Sequence, residues 1–323
     1  MRKPLVAALG VLALAGIGAA PTVAAPTVMT PADEARAVAA EPAAATVGKG
    51  VDPDTVTSVA HDVVTSTTAN LSRAAAPSAR AVNFAGTVSL SNCSGSVIRL
   101  PDSEDNDPAL VMSNGHCLES GFPEPGEVIV DQPSSRTFGL LNSAGTRVAT
   151  LQASKIAYST MTDTDVSLYQ LTSTYQQIKD SYGIQALELN SARPTAGTAI
   201  TVVSGYWKRT YSCDVDGFAY RLKEGAWTWK DSVRYTSACN TIGGTSGSPV
   251  IDDATGKVVA VNNTGNEDGA RCTDNNPCEV DESGEVTVRQ GINYAQQTYQ
   301  IVPCVGLDNK IDLSRPGCTL PKP

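Results

Sequence analysis

The chain has 323 residues, with 24 Lys and Arg against 33 Asp and Glu, a net charge of −9. Lacking any basic block, it is excluded from the nucleic-acid binders, whose phosphates need clustered cations. Its 2 histidines exclude a metal centre built from several of them, and 18% charge beside 41% hydrophobic content describes a globular domain rather than a disordered polymer.

At the N-terminus, Arg2 and Lys3 precede an uncharged run, Leu5–Ala20, and the small-residue stretch Pro21–Ala25. A positive start, an apolar middle and a Val23-x-Ala25 cleavage pattern read as a secretory signal peptide over residues 1–25. The run is shorter than the ~20 residues needed to span a bilayer, which disfavours a membrane anchor. Residues 26–80 are rich in Ala, Pro, Thr and Val and are punctuated by Pro26, Pro31, Pro42, Pro53 and Pro77. They can bury little apolar surface and read as a pro-segment or linker, with Arg73 and Arg80 as processing points.

The texture changes at Ala81, where the domain spanning 81–323 begins. Short β-branched runs recur at Gly86–Leu90, Ser96–Leu100, Glu127–Val130, Thr146–Leu151, Asp165–Leu171, Ala199–Val203, Ser248–Ile251, Lys257–Asn262 and Val286–Ile292. Gly, Asn, Asp and Pro separate them, the grammar of an all-β sandwich or barrel. Only Asn293–Val302 reads as helical, with Ala295, Tyr299 and Val302 on one face.

All eight cysteines follow residue 90, at positions 93, 117, 213, 239, 272, 278, 304 and 318. In the oxidising compartment that export implies, an even count suits four disulfides, with about a hundred connectivities open. Zinc is disfavoured because no Cys-x-x-Cys spacing occurs. The acidic stretches Asp102–Asp107 and Glu267–Glu285 could offer hard oxygens to calcium, but solvated loops are the better reading.

Three stretches carry chemistry. Gly243-Gly-Thr-Ser-Gly-Ser-Pro-Val-Ile251 offers a serine beside glycines that let backbone N–H groups converge on one point. An attacking hydroxyl creates an oxyanion that such donors must hold, so Gly244 and Ser246 N–H are the candidate pair and Ser246 Oγ the nucleophile. The base must titrate near neutrality. His61 lies in the low-complexity segment, which leaves His116 of Ser113-Asn-Gly-His-Cys-Leu118. An orienting carboxylate is expected in Asp163-Thr-Asp-Val-Ser-Leu-Tyr-Gln-Leu171. There Asp165, opening an apolar strand, is preferred over Asp163, because a buried carboxylate needs a partner such as an imidazole N–H. The chain order His…Asp…Ser excludes an α/β-hydrolase, in which the histidine comes last.

With Cys93-Ser-Gly-Ser-Val-Ile98 and Gln290-Gly-Ile-Asn-Tyr294 added, these motifs resemble the secreted bacterial chymotrypsin-fold serine endopeptidases, with trypsin-like and glutamyl-endopeptidase-like features. The resemblance covers roughly Phe84 to Val302. It implies two packed six-stranded antiparallel β-barrels with a short C-terminal helix, a disulfide-closed C-terminal extension, and an active site at the barrel junction. A Cys93–Cys117 bridge belongs to the family's histidine loop. Cys213–Cys239 would brace the pocket's approach, while Cys272–Cys278 and Cys304–Cys318 would close small loops. By the same resemblance Asn240 stands at the base of the specificity pocket where trypsin-like members carry Asp. Thr241 matches the glutamyl-endopeptidase threonine, and Asn262 takes the place of their histidine, so the pocket is expected to be polar and uncharged.

One departure concerns activation. No Ile-Val-Gly-Gly start precedes Cys93, and Thr245 stands where the family's zymogens place the Asp that pairs with a new α-ammonium. A loop shaped without that ion pair is expected. The implied activity is cleavage of peptide bonds in extracellular proteins by a monomer with no cofactor, no nucleic-acid partner and no membrane attachment after signal removal. A secreted esterase or amidase using the same triad, or a non-catalytic binding module on the same fold, are the alternatives.

Overall fold

Sixteen strands organise residues 82–323, the part of the chain that the computed structural model describes. The signal-peptide and pro-segment readings, and His61 with them, lie outside the described residues.

The first ring uses β1 (Thr87–Ser89), β2 (Ser94–Arg99), β3 (Pro108–Ser113), β5 (Thr137–Leu141), β6 (Arg147–Thr160) and β7 (Val166–Thr174). Their pairing order is β1-β5-β6-β7-β3-β2, and antiparallel pairing of β2 with β1 closes it. The long β6 serves two partners: its first half pairs with β5, and after a register shift its second half pairs with β4 (Val128–Pro133). The second ring is β9 (Ala199–Ser204), β12 (Pro249–Asp252), β13 (Val258–Gly265), β16 (Asn293–Gln297), β11 (Trp227–Tyr235) and β10 (Arg209–Glu224), closed by the β10–β11 hairpin. Closure leaves neither barrel with an open edge within its ring. β8 (Leu187–Glu188) pairs in parallel with β2, and the hairpin of β14 (Cys278–Val280) and β15 (Val286–Val288) extends β10.

Alternating side chains fill each ring. Val88, Val97, Val111, Phe138, Leu140 and Tyr169 are core residues of the first, and Ile200, Val202, Val233, Tyr235, Val250 and Ala260 of the second. A third cluster joins the barrels: Ile98, Leu110, Met112 and Leu168 from one meet Val203, Ile251, Val258 and Val261 from the other. Each such side chain contributes about 1.5–3 kcal/mol when fully withdrawn from water, so the junction is a continuous core. The C-terminal extension joins this cluster through Ile301, Cys304 and Leu320. Asn309 Nδ2 donates to Pro108 O (2.9 Å), and Tyr158 Oη to Pro321 O (3.0 Å).

The expected helix over Asn293–Val302 is not formed. Asn293–Gln297 is β16, pairing with both β11 and β13, and a single 3₁₀ turn, Val302–Cys304, follows. Without that strand the second ring would stay open, so closure outweighs a helical spacing of three apolar residues. Among the described residues the α-helix is α1 (Tyr175–Tyr182), between the barrels in sequence. Its signals are local. Thr174 accepts from Gln177 N while the Gln177 side chain accepts from Thr174 N, and Gly183 at φ 67 ends it.

The structure contains four disulfides, Cys93–Cys117, Cys213–Cys239, Cys272–Cys278 and Cys304–Cys318. No helix among the described residues is long and apolar enough to cross a membrane.

Candidate active site

His116 sits in a 3₁₀ turn, Gly115–Cys117, directly after β3. Asp165 immediately precedes β7, the antiparallel neighbour of β3, so the ladder itself sets the two side by side. Asp165 is fully buried, and every acceptor on it is used. Oδ2 lies 2.6 Å from His116 Nδ1, while Oδ1 accepts from Gly115 N (2.6 Å) and His116 N (3.2 Å). Asn114 Nδ2 holds the Asp165 carbonyl at 2.8 Å. The carboxylate therefore fixes both the imidazole and the backbone carrying it, which makes Nδ1 the protonated nitrogen and leaves Nε2 free to accept. A Cβ on Gly115 would lie 2.3 Å from Thr160 O, so only glycine permits this approach.

Asp163, the competing choice, is elsewhere: its Oδ2 meets Lys230 Nζ at 2.5 Å, and its N–H donates to Thr228 O across the junction. Beneath the histidine turn, buried Arg136 donates to Cys117 O (2.6 Å), Tyr169 Oη (2.9 Å) and Asn92 Oδ1 (2.7 Å), bracing the loop that Cys93–Cys117 ties down.

Ser246 belongs to the loop before β12, and that loop is docked on the first barrel. Ser94 N donates to Ser246 O at 2.8 Å, and Ser113 Oγ donates to the neighbouring Ser94 O at 2.8 Å. Gly247, at φ 80, passes so close that a Cβ would lie 2.2 Å from both Ser113 Oγ and Ser94 O. Ser113 stands two residues before Gly115, so the serine loop and the histidine turn share one support. The Ser246 hydroxyl donates to Asn263 O at 3.2 Å rather than to His116. Gly244 N and Ser246 N donate to no protein acceptor among the described residues, whereas Thr245 N closes a turn onto Ile242 O (3.0 Å).

Thr245 is locked locally. Its hydroxyl donates to Ile242 O (2.5 Å) and accepts from Asn262 Nδ2 (3.1 Å), while Asn262 Oδ1 accepts from Tyr235 Oη (3.1 Å). Asn262 is 1% exposed with both ends of its amide engaged. It braces the Ser246 loop and does not present its amide to a pocket, a correction to its expected placement. Thr241 is buried and its backbone is gripped by Asn293, Oδ1 accepting from Thr241 N at 3.1 Å; Asn240 beside it is exposed.

Two further groups near the site escaped the sequence reading. Phe122, 56% exposed, lies edge-on to the His116 ring with centroids 5.8 Å apart and continues to Trp227 at 5.7 Å. Trp227 Nε1 donates to Pro123 O (2.9 Å), pinning the tip of the β10–β11 hairpin to the histidine loop. At that tip Glu224 accepts from Asn275 N at 2.8 Å. Burial pushes its carboxyl up, against bonds from Thr264 and Asn275 and the charge of His116. No residue spacing advertises such a hairpin tip; only its reach across the cleft gives it a place.

Burial works to lower the His116 pKa. The charge and hydrogen bond of Asp165, with a contribution from Glu224, outweigh it, so His116 titrates above its ordinary 6.5. Hydrolysis that needs the neutral ring should then rise through a midpoint above that value. Replacing Glu224 by Gln removes a charge that favours the imidazolium, so the acidic limb of kcat/KM should move to lower pH. A limb that stays put, or moves up, would show that Glu224 does not act on His116.

Cys93, His116 and Cys117 bring potential metal ligands within 4.8 Å, but both sulfurs are consumed by their bridge. In the acidic loop at 102–107, Asp105 pairs with Arg99 (3.0 Å) and Asp107 accepts from Glu104 N (2.8 Å).

Residues 93–261 match the family model of the trypsin-like peptidase domain. Among solved structures the chain is similar to the active form of the Rv3671c protease of M. tuberculosis, at 14% identity over 75% of this chain and 85% of that one (TM-score 0.43). It is also similar to the MamO protease domain of Magnetospirillum magneticum, at 12% identity over 66% and 92% (0.41). Cellulomonas bogoriensis chymotrypsin matches at 12% identity over 67% and 90% (0.37). No curated protein matches the sequence.

Proposed function

Since the chain belongs to the trypsin-like peptidase domain family and is a serine-type peptidase, we propose that it is an exported endopeptidase using His116, Asp165 and Ser246 through an acyl-enzyme. The observation that carries this is the fully buried Asp165, which divides its oxygens between the His116 ring and the backbone of the same turn.

In the proposed cycle, rotation about the Ser246 Cα–Cβ bond turns the hydroxyl from Asn263 O toward His116 Nε2. Oγ attacks the peptide carbonyl as its proton passes to Nε2. The carbonyl oxygen, now negative, accepts from Gly244 N–H and Ser246 N–H. Asp165 stabilises the imidazolium without taking its proton. Nε2 then protonates the leaving nitrogen, the C–N bond breaks, and an ester remains on Ser246. The amine leaves and water enters; its oxygen attacks the ester carbonyl as its proton passes to Nε2, and Nε2 returns that proton to Ser246 Oγ as the C–Oγ bond breaks and the acid departs. The residues present supply the whole proton circuit, so no cofactor is invoked.

Export is supported by the N-terminal pattern at 1–25 and by four bridges, which persist in oxidising compartments. The Ile242–Thr245–Asn262–Tyr235 network supports activation by simple removal of residues 26–80, since the loop is held without an α-ammonium. The substrates proposed are proteins and peptides, cut by a monomer.

Incubation with denatured casein and with a peptide library tests the reading: internal cleavage is expected. Turnover of small nitrophenyl esters alone would make it an esterase, and no turnover of either would leave a binding module.

A further inference from the structure

The oxyanion donors are backbone groups, and a backbone N–H points where its peptide plane points. Gly244 N–H belongs to the Gly243–Gly244 peptide, the central unit of the turn Ile242–Thr245 closed by Thr245 N to Ile242 O at 3.0 Å. Gly244 has φ 84 and Gly243 does not have a positive φ, so the turn is type II. Types I and II differ by a flip of that central peptide, and with glycine at both central positions neither is sterically barred. The free loop could therefore present Gly244 N–H to the site or turn it away.

One side chain decides between them. Trp207 Nε1 donates to Gly243 O at 2.7 Å. In a trans peptide C=O and N–H point in opposite directions, so an indole holding the carbonyl on one side holds the Gly244 N–H on the other. We propose that Trp207 is a positioning residue for the oxyanion hole, keeping the Gly243–Gly244 peptide in the type II orientation before substrate arrives. The inference rests on the reading of Ser246 as nucleophile with Gly244 as an oxyanion donor.

The setting is built for this. Tyr206 and Trp207 follow β9, and their own backbone is anchored: Tyr206 N donates to Ser94 Oγ (3.1 Å) and Trp207 N to Ser204 Oγ (3.2 Å). Ser94 Oγ in turn donates to Gly244 O at 3.1 Å, fixing the next peptide of the loop. The aromatic pair presses on the turn so closely that a Cβ on Gly244 would lie 2.9 Å from Tyr206 Cδ1 and 3.0 Å from Trp207 Nε1. Successive carbonyls, Gly243 and Gly244, are thus each held by a side-chain donor, while the N–H groups facing the substrate are left unspent.

The experiment is Trp207→Phe, which keeps an aromatic ring and removes the donor, assayed per active site titrated with a fluorophosphonate. The flipped turn then competes, so kcat should fall at least about fivefold, the worth of one neutral hydrogen bond. The fall is bounded by the ~10²–10³-fold cost of losing an oxyanion donor outright. KM should stay within about threefold, because ground-state binding does not use that N–H. Affinity for a peptide aldehyde, whose hemiacetal oxygen occupies the hole, should fall by the same factor as kcat. A merely structural role would lower the melting temperature and raise KM without that match. If the Phe variant folds poorly, benzothienylalanine at position 207 keeps the bicyclic shape and exchanges only N–H for sulfur. Unchanged kcat in either folded variant, or a kcat loss with unchanged aldehyde affinity, overturns the inference. Ser246→Ala in parallel separates the two readings: if it remains active the nucleophile assignment fails, and if it is dead while position 207 is indifferent, only the role of Trp207 fails.

Discussion

Ser246→Ala and His116→Ala should each lose about 10⁶ in kcat, and the double variant should lose hardly more. The near-equality is the informative part. If the hydroxyl and the imidazole act in one proton circuit, removing either removes the circuit, and the second change finds nothing left to disable. The residue at 246 is half-buried in a loop whose shape comes from Gly247, Thr245 and Ser94, none of which uses the hydroxyl. Ser246→Ala should therefore melt within a degree or two of the parent, so the loss is chemical. Kinetics on a peptide substrate with calorimetry in parallel check both halves. Additive losses would mean that the two residues act separately.

Asp165→Asn should cost about 10⁴ in kcat near neutral pH. The amide fits the space, and its oxygen can still accept from Gly115 N and His116 N. Its NH2, however, faces Nδ1 where Oδ2 now stands, and a donor there forces the proton to Nε2. A ring protonated at Nε2 has no lone pair for the serine. The pH profile adds a signature. With the carboxylate gone, the charge and hydrogen bond that raise the His116 pKa disappear while burial still lowers it, so what activity remains should persist to lower pH. An Asp165→Asn enzyme with near-normal kcat at pH 7 would remove Asp165 from the proposed mechanism.

The candidate site was legible in the sequence because the proposed chemistry forces residue types. A serine set beside backbone donors calls for glycine at 244, where φ is 84, and at 247, where a Cβ would strike Ser113 and Ser94. A buried carboxylate opening an apolar strand singles out Asp165 over Asp163; in the structure the first is fully buried against His116 and the second meets Lys230 at the surface. Strands with apolar alternation, such as β2 and β13, show in the pattern. The β10–β11 hairpin does not, because Arg209–Glu224 mixes charge and polarity along a strand with much of one face in water. Asn293–Val302 misleads in the opposite sense, its apolar spacing fitting a helix until β11 and β13 claim the backbone of its first half. Trp207, Glu224 and Asn263 had no signal at all. Each acquires meaning from a partner distant in sequence, at separations of 36 residues for Trp207–Gly243 and 17 for Ser246–Asn263. Asn262 shows the limit of resemblance: the position corresponds, but Tyr235 and Thr245 take both ends of the amide.

The assignment of Ser246 as the covalent nucleophile is tested most directly by mixing the enzyme with an activated ester that deacylates slowly, quenching in acid, and mapping the adduct by peptide mass spectrometry. One acyl group per chain on the peptide containing Ser246 is the predicted result, absent from His116→Ala on the same timescale. Steady turnover of the ester with the acyl group on another residue, or with no adduct at all, would contradict it.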